Sequence, residues 1–218
     1  MEIIIDHVFK TIKGIEILKD VNLELSGGKV YGFQGPNGSG KTMLMRLIAG
    51  LIRPTVGSVW IDGKQLGKHM DFPESMGLMI ENPAFLPNHT GLKNLELLAQ
   101  IQGRISFDEV KQAIAAVGLE PGDKRTFRKY SLGMKQRLGV ACAIMEKPEL
   151  LILDEPTNAL DESGVDQICK IIRHERDRGA LVIISCHDGE LLENLADEIY
   201  TIAEGNVKKR EIYPLQAE

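Results

Sequence analysis

Residues 35–42, Gly35-Pro36-Asn37-Gly38-Ser39-Gly40-Lys41-Thr42, fit the pattern G-x-x-x-x-G-K-[ST]. No other stretch constrains the fold as much, because this pattern works only between a buried strand and a helix. Its glycines let the backbone curl tightly, so that successive N–H groups point inward at an anion. Lys41 is a mobile charge able to reach β- and γ-phosphates, and Thr42 offers a hydroxyl to Mg²⁺. The helix that begins here, opened by Met43, turns its positive end toward the same place. The flanks meet the requirement: Val30-Tyr31-Gly32-Phe33 reads as a short buried strand, and Met43-Leu44-Met45-Arg46-Leu47-Ile48-Ala49 as an apolar helix. The stretch implies a phosphate grip on a nucleoside triphosphate.

The chain is long enough for such a setting. Its 218 residues, 43% of them hydrophobic, suit one substantial domain or two closely packed lobes and exclude wholesale disorder. A net charge of −5 argues against a mainly electrostatic nucleic-acid binder. The longest apolar runs, such as Leu150-Leu151-Ile152-Leu153, are too short to span a bilayer. The N-terminus lacks the basic region and cleavage site of a signal peptide. Cys142, Cys169 and Cys186 lack metal-ligand spacing and read as reduced, mostly buried thiols of a cytosolic protein. Any membrane role is therefore expected to come through a partner.

Strand signals dominate the first 33 residues, over 2–8, 21–25 and 29–33, with turn chemistry at Lys13-Gly14 and Ser26-Gly27-Gly28. Residues 58–61 alternate into an Asp62-Gly63 hairpin turn, and 76–80 form a further short apolar stretch. The pattern then becomes helical. Thr90 can cap one helix, and Ser106 with Glu109 forms a capping-box pattern for the next. Ser131 can cap a third, running to Lys147 before Pro148. Beyond it come an apolar strand at 149–153, a helix over about 162–178 and a buried strand at 181–185. A short helix over 188–196 leads to a terminal hairpin, 199–203 with 207–211, across Gly205-Asn206. Strand–helix alternation with apolar strands implies a largely parallel sheet covered on both faces. Ligands of such sheets sit at the C-terminal strand edges. The P-loop, Asp154-Glu155 and His187 all follow strands directly and can converge there.

Asp154, ending a hydrophobic strand, can hold Mg²⁺ against the phosphates. Glu155 beside it can polarise an attacking water. His187 can contact a γ-phosphate, although a histidine at a strand end also serves purely structural ends.

These motifs, taken in order with Tyr130-Ser131-Leu132-Gly133-Met134-Lys135-Gln136-Arg137 and Asn158-Ala159-Leu160-Asp161 between them, resemble the ATP-binding-cassette (ABC) ATPases over essentially the whole chain. The resemblance implies an α/β P-loop NTPase fold with a mixed parallel core sheet, a small antiparallel β subdomain and an inserted α-helical subdomain. It implies one domain over 1–218, with 1–80 and 148–218 as the catalytic core and 84–147 as the helical subdomain. It also implies ATP and Mg²⁺ as cofactors, with Thr42 and Asp154 as metal partners, Glu155 as general base and His187 as γ-phosphate contact. Two copies would face head to tail, with Ser131 and Gly133 reaching the partner's γ-phosphate and Asp161 lying on the D-loop that couples the sites. A serine at a helix start serves equally as a plain structural cap.

Three positions depart from the family pattern. The signature keeps only Ser131 and the second glycine, Gly133. Glu81 stands where the Q-loop glutamine is usual; a carboxylate there can approach Mg²⁺ but repels a γ-phosphate and donates no hydrogen bond. The aromatic residue that stacks on adenine would fall near Ile12, which has no ring, so weaker or less base-selective nucleotide binding is expected. The Ile-Glu-Asn-Pro-Ala-Phe run and the variant signature are similar to those of bacitracin- and lantibiotic-type exporters, including multidrug systems. Cassettes of that type often carry an extra C-terminal region, for which the roughly thirty residues after His187 leave no room. The expected protein is thus the ATP-hydrolysing subunit of an exporter, cytoplasmic and bound to the inner membrane face through a separate transmembrane permease. A coupling helix of that permease should dock near residues 81–90. The alternative is an ATP-driven switch regulating a membrane-anchored partner without moving solute. A P-loop GTPase would want an Asn-Lys-x-Asp motif, which is absent, and a small-molecule kinase would not need the Ser131 and His187 motifs.

Overall fold

The computed structural model describes residues 1–210. Its two sheets are built differently because their strands are. Glu2–Ile12 (β1), Ile15–Ser26 (β2), Val56–Ile61 (β4) and Lys64–Gln65 (β5) form an antiparallel sheet in the order β2-β1-β4-β5. The second, six-stranded sheet runs β10-β9-β3-β8-β7-β6. Its strands are Lys29–Gln34 (β3), Met76–Met79 (β6), Leu150–Asp154 (β7), Leu181–Ser185 (β8), Glu198–Ala203 (β9) and Asn206–Arg210 (β10). All its pairings are parallel except that of β9 with β10.

Both faces of the parallel sheet are covered, which explains why β7 and β8 are buried at every position. Leu151, Leu153, Val182 and Ile184 point into one core cluster, shared with the helices. Their neighbours Leu150, Ile152, Leu181 and Ile183 point into the other, shared with Lys41–Ile48 (α1) and the antiparallel sheet. Each such side chain contributes on the order of 1.5–3 kcal/mol by leaving water.

The helical layer follows the capping signals. Gly91–Gln102 (α2) starts at Thr90, whose side chain accepts from Lys93 N–H. Phe107–Ala116 (α3) has the full Ser106/Glu109 capping box. Leu132–Ile144 (α4) starts at Ser131 and stops short of the expected Lys147, whose φ of +50° lies outside helical geometry. Glu162–Asp177 (α5) is capped by Asp161, and Gly189–Leu195 (α6) by Asp188. Among the described residues no helix is long and apolar enough to cross a membrane.

Two strand expectations need correction. β1 and β2 form one long hairpin across Lys13-Gly14, with both turn residues at positive φ. The middle of that hairpin is irregular: His7, within the expected 2–8 strand, and Asp20, outside the expected strands, both have positive φ, and the His7 imidazole bonds the Asp20 carboxylate at 2.7 Å. The terminal hairpin turns at Glu204-Gly205, not Gly205-Asn206. Ala203 pairs with Asn206, and the turn takes positive φ at both central residues. Glu211, expected in its last strand, lies outside the described residues.

The parallel register also aligns three strand ends. Phe33 is level with Ser185, and Ser185 with Asp154. The segments that leave β3, β8 and β7 therefore emerge side by side at one edge.

Candidate active site

Glycine geometry shapes the P-loop at two points. Gly40 has a φ of +113°, open to glycine at little cost, and a Cβ on Gly35 would collide with the Ile202 carbonyl. The loop draws Lys41 inward: its ammonium donates to the carbonyls of Gly35 (2.6 Å) and Pro36 (3.1 Å). Ser39 is also buried, and its hydroxyl has no hydrogen-bond partner among the described residues. An unmet buried hydroxyl costs about 1–3 kcal/mol. A phosphate oxygen in the cavity that Ser39 lines would satisfy it, so the loop fits an anion.

Across the cavity, Asp154 is nearly buried and locked on both oxygens. Thr42 Oγ1 donates to Oδ2 at 2.8 Å, and the Ser185 hydroxyl donates to Oδ1. A hydroxyl and a carboxylate brought together this way form the oxygen donor set that a hard divalent cation prefers. Ser185 also accepts from Glu155 N–H at 3.0 Å, so one buried hydroxyl steadies both acidic residues. In the sequence, the only signal of Ser185 is a polar residue closing an otherwise apolar strand.

Glu155 faces His187. Its Oε1 lies 3.1 Å from His187 Nε2, close enough for an ion pair though not aligned as a hydrogen bond, and Oε2 accepts from His187 N–H at 3.3 Å. Burial pushes the Glu155 carboxyl above the usual range, opposed by the neighbouring His187. A raised carboxyl beside a polar cavity suits a proton acceptor. The cavity, about 340 Å³, is lined by the 37–43 segment together with Ile17, Asp154, Glu155 and His187.

Two expected residues are not brought there. Glu81 is solvent-exposed, has a φ of +61°, and pairs with Arg46 at 2.6 Å, outside the cavity. Its carboxylate is engaged by the Arg46 guanidinium on α1. Ile12 sits beside the hairpin turn, paired with Ile15, and it is Ile17 that reaches the cavity. The aliphatic residue that lines the cavity is thus Ile17, five positions after Ile12.

Ser131, Gly133 and Asp161 come together elsewhere, in a cleft of about 540 Å³ that shares no lining residue with the first. Ser131 Oγ accepts from Met134 N–H at 3.2 Å, capping α4. Gly133 packs against the Ala159 carbonyl so closely that a Cβ would approach it to 2.8 Å. Asp161 accepts from Ser163, Gly164 N–H and Arg137, and the first two of these hold its carboxyl below the usual range. A third groove, about 430 Å³, lies between sheet and helices, lined among others by Arg46, Leu51, Ile80, Pro83, Phe85 and Leu98.

Comparison with known proteins identifies the family. The family model described as ABC transporter matches residues 18–158. The uncharacterized ABC transporter ATP-binding protein YybJ of Bacillus subtilis is 44% identical, over 94% of each chain. The bacitracin transport ATP-binding protein BcrA of Enterococcus faecalis is 40% identical over 88% of this chain, which spans 63% of that relative's length. The lantibiotic transport ATP-binding protein SrtF of Streptococcus pyogenes is 38% identical, over 88% of this chain and 82% of its own. Among solved structures, the dimeric bacterial ABC transporter cassette MJ0796 superposes with a TM-score of 0.87 at 25% identity, covering 98% of this chain and all of that one (100%). The chain belongs to the ABC transporter family, as one of its ATP-binding, ATP-hydrolysing subunits.

Proposed function

We propose that this subunit powers export of a peptide antibiotic, lantibiotic or drug-like molecule through a separate transmembrane permease. The reading rests on the convergence of Lys41, Thr42, Asp154, Glu155 and His187 on one cavity, and on its similarity to relatives named for bacitracin and lantibiotic transport. Residues 35–43 grip the phosphates of ATP through inward N–H groups, the Lys41 ammonium and the Ser39 hydroxyl. Thr42 and Asp154 would hold Mg²⁺, which supplies charge neutralisation at the β- and γ-phosphates. Glu155 takes a proton from the water that attacks the γ-phosphorus, while His187 leaves its pairing with Glu155 to contact the γ-phosphate. The products are ADP and inorganic phosphate, and catalysis is positioning plus charge stabilisation.

A second copy of the chain completes the site, bringing Ser131 and Gly133 to the γ-phosphate and Asp161 to the dimer junction. Residues 1–80 and 148–218 act as the catalytic core, and 84–147 as a helical subdomain that carries the partner-facing helix α4. The apolar groove beside Pro83 and Phe85 receives the permease and holds the subunit at the cytoplasmic face of the membrane.

Replacing Glu155 tests the core of this reading. Glu155→Gln should lower the hydrolysis rate by about 10²–10⁴-fold, the usual range for general-base loss, while ATP still binds and dimers accumulate on size-exclusion chromatography. Wild-type turnover in that variant would refute the assignment. Purification from native membranes in mild detergent should bring a permease subunit along with the chain.

A further inference from the structure

We propose that Gln136 is a positioning residue for Glu155, holding the peptide of the catalytic carboxylate from the helical layer. The proposal rests on Glu155 acting as the general base.

Gln136 lies on α4 between Lys135 and Arg137, on the helix face it shares with Gly139, Val140 and Ala143, all of them buried. It is itself only 5% exposed, an unusual place for an uncharged amide unless a hydrogen bond compensates for lost water. That bond goes to the main chain of Glu155: Gln136 Nε2 donates to the Glu155 carbonyl at 2.7 Å. A carbonyl can only accept, so the NH₂ end of the amide must be the one that faces it.

The recipient is a backbone that needs holding. Glu155 has a φ of +52°, a left-handed conformation that a side-chain-bearing residue keeps only when its surroundings enforce it. The enforcement comes from both sides of the residue. Its N–H donates to Ser185 Oγ at 3.0 Å, and its carbonyl accepts from Gln136 and from Asn158 N–H at 3.2 Å. Ser185 and Asn158 belong to the same strand-end cluster as Glu155. Gln136 alone of these partners comes from the helical layer.

Gln136 lines neither the P-loop cavity nor the Ser131 cleft. Its effect on hydrolysis must therefore pass through Glu155, and it should appear in turnover and not in nucleotide binding. Small displacements of a catalytic group are costly, up to about 10²-fold for a shift near 1 Å.

The test is Gln136→Met, similar in length but unable to donate, assayed as the full chain for ATPase kinetics, nucleotide affinity and thermal stability. We expect kcat to fall about 10- to 100-fold, with KM, nucleotide affinity and Tm close to wild type. Gln136→Leu provides a second reading. Its apolar side chain likewise cannot donate to the Glu155 carbonyl, so kcat should fall by a comparable factor with KM and nucleotide affinity close to wild type. In a Glu155→Gln background, adding Gln136→Met should lower the residual rate no further. Wild-type kcat in both single variants would overturn the proposal. So would equal losses of kcat, affinity and Tm in both, which would mark a general packing defect. Wild-type turnover in Glu155→Gln alone would remove the general-base assignment and the proposal with it, a result distinct from inert Gln136 variants.

Discussion

The P-loop cavity and the Ser131 cleft are built from similar parts, a helix N-terminus beside a strand-end loop, yet they differ in how far each is complete. In the first, Lys41, Ser39 and Asp154 are buried and aimed inward, and Ser39 keeps an unmet hydroxyl that a phosphate would satisfy. In the second, the Ser131 hydroxyl already caps its own helix, and Arg137 is committed to Val117, Gln167 and Asp161. No charge remains free there to hold an anion unaided. On the proposed dimer, one surface is the grip and the other the lid held against it. A two-fold arrangement that sets unlike surface against unlike surface would complete both sites at once, because each copy supplies one of each.

That contrast breaks most sharply on a pair of substitutions. Lys41→Ala should weaken nucleotide affinity by about 100-fold, the scale of losing a charge-assisted contact to phosphate; titration with a fluorescent ATP analogue measures it. Ser131→Asp should leave that affinity and the Tm almost unchanged, because aspartate caps a helix as well as serine does. It should nevertheless cut turnover by about 10-fold or more, by placing a carboxylate against the partner's γ-phosphate. Full activity in Ser131→Asp would reduce Ser131 to a plain cap and make the second cleft a structural feature only.

The next contrast lies within the first cavity, between its phosphate end and its nucleoside end. The phosphate end carries every polar group, while Ile17 offers only an aliphatic surface. ATP and GTP should therefore bind within a few-fold of each other. Ile17→Tyr should tighten both by roughly fivefold, since a base stacked on a ring gains about 1 kcal/mol or more. Strong preference for ATP in the wild-type chain would sink this account.

The same contrast separates what sequence could tell from what it could not. Asp154, Glu155 and His187 were legible because each follows an apolar strand, and a parallel sheet brings such ends to one edge whatever the intervening loops do. Ile17 was not, because its position depends on a hairpin whose irregular middle, with His7 and Asp20 at positive φ, hides the strand alternation. Motif order located Glu81 in the chain, but the direction of its side chain is decided by Arg46, a residue on a distant helix. The contacts of Ser185 and Gln136 were not legible for a third reason. Ser185 is a single polar residue closing an apolar strand and Gln136 stands in a polar run between Lys135 and Arg137, so only the buried partner of each reveals its role.

The smallest effect, one of stability, sets the two clefts in opposition again. Burial raises the Glu155 carboxyl, so folding favours its protonated form. Its contribution to stability is full at low pH and is lost as pH rises through the raised folded value. Glu155→Gln removes the buried charge and should raise Tm at neutral pH by roughly 2–4 °C, the shift expected of about 1 kcal/mol in a chain of this size. The gain should fade as the pH falls below that folded value. Asp161, in the other cleft, is held low by Ser163 and Gly164 N–H. Its contribution is present above the ordinary aspartate range and lost as pH falls through the lowered folded value. Asp161→Asn, which can still cap α5, should therefore lower Tm at neutral pH, with the deficit closing in acid. Differential scanning calorimetry from neutral to acidic pH reads both signs. If Glu155→Gln lowered Tm at neutral pH, its carboxylate would be a stabilised group like that of Asp161, and the P-loop cavity would hold no carboxyl poised to take a proton.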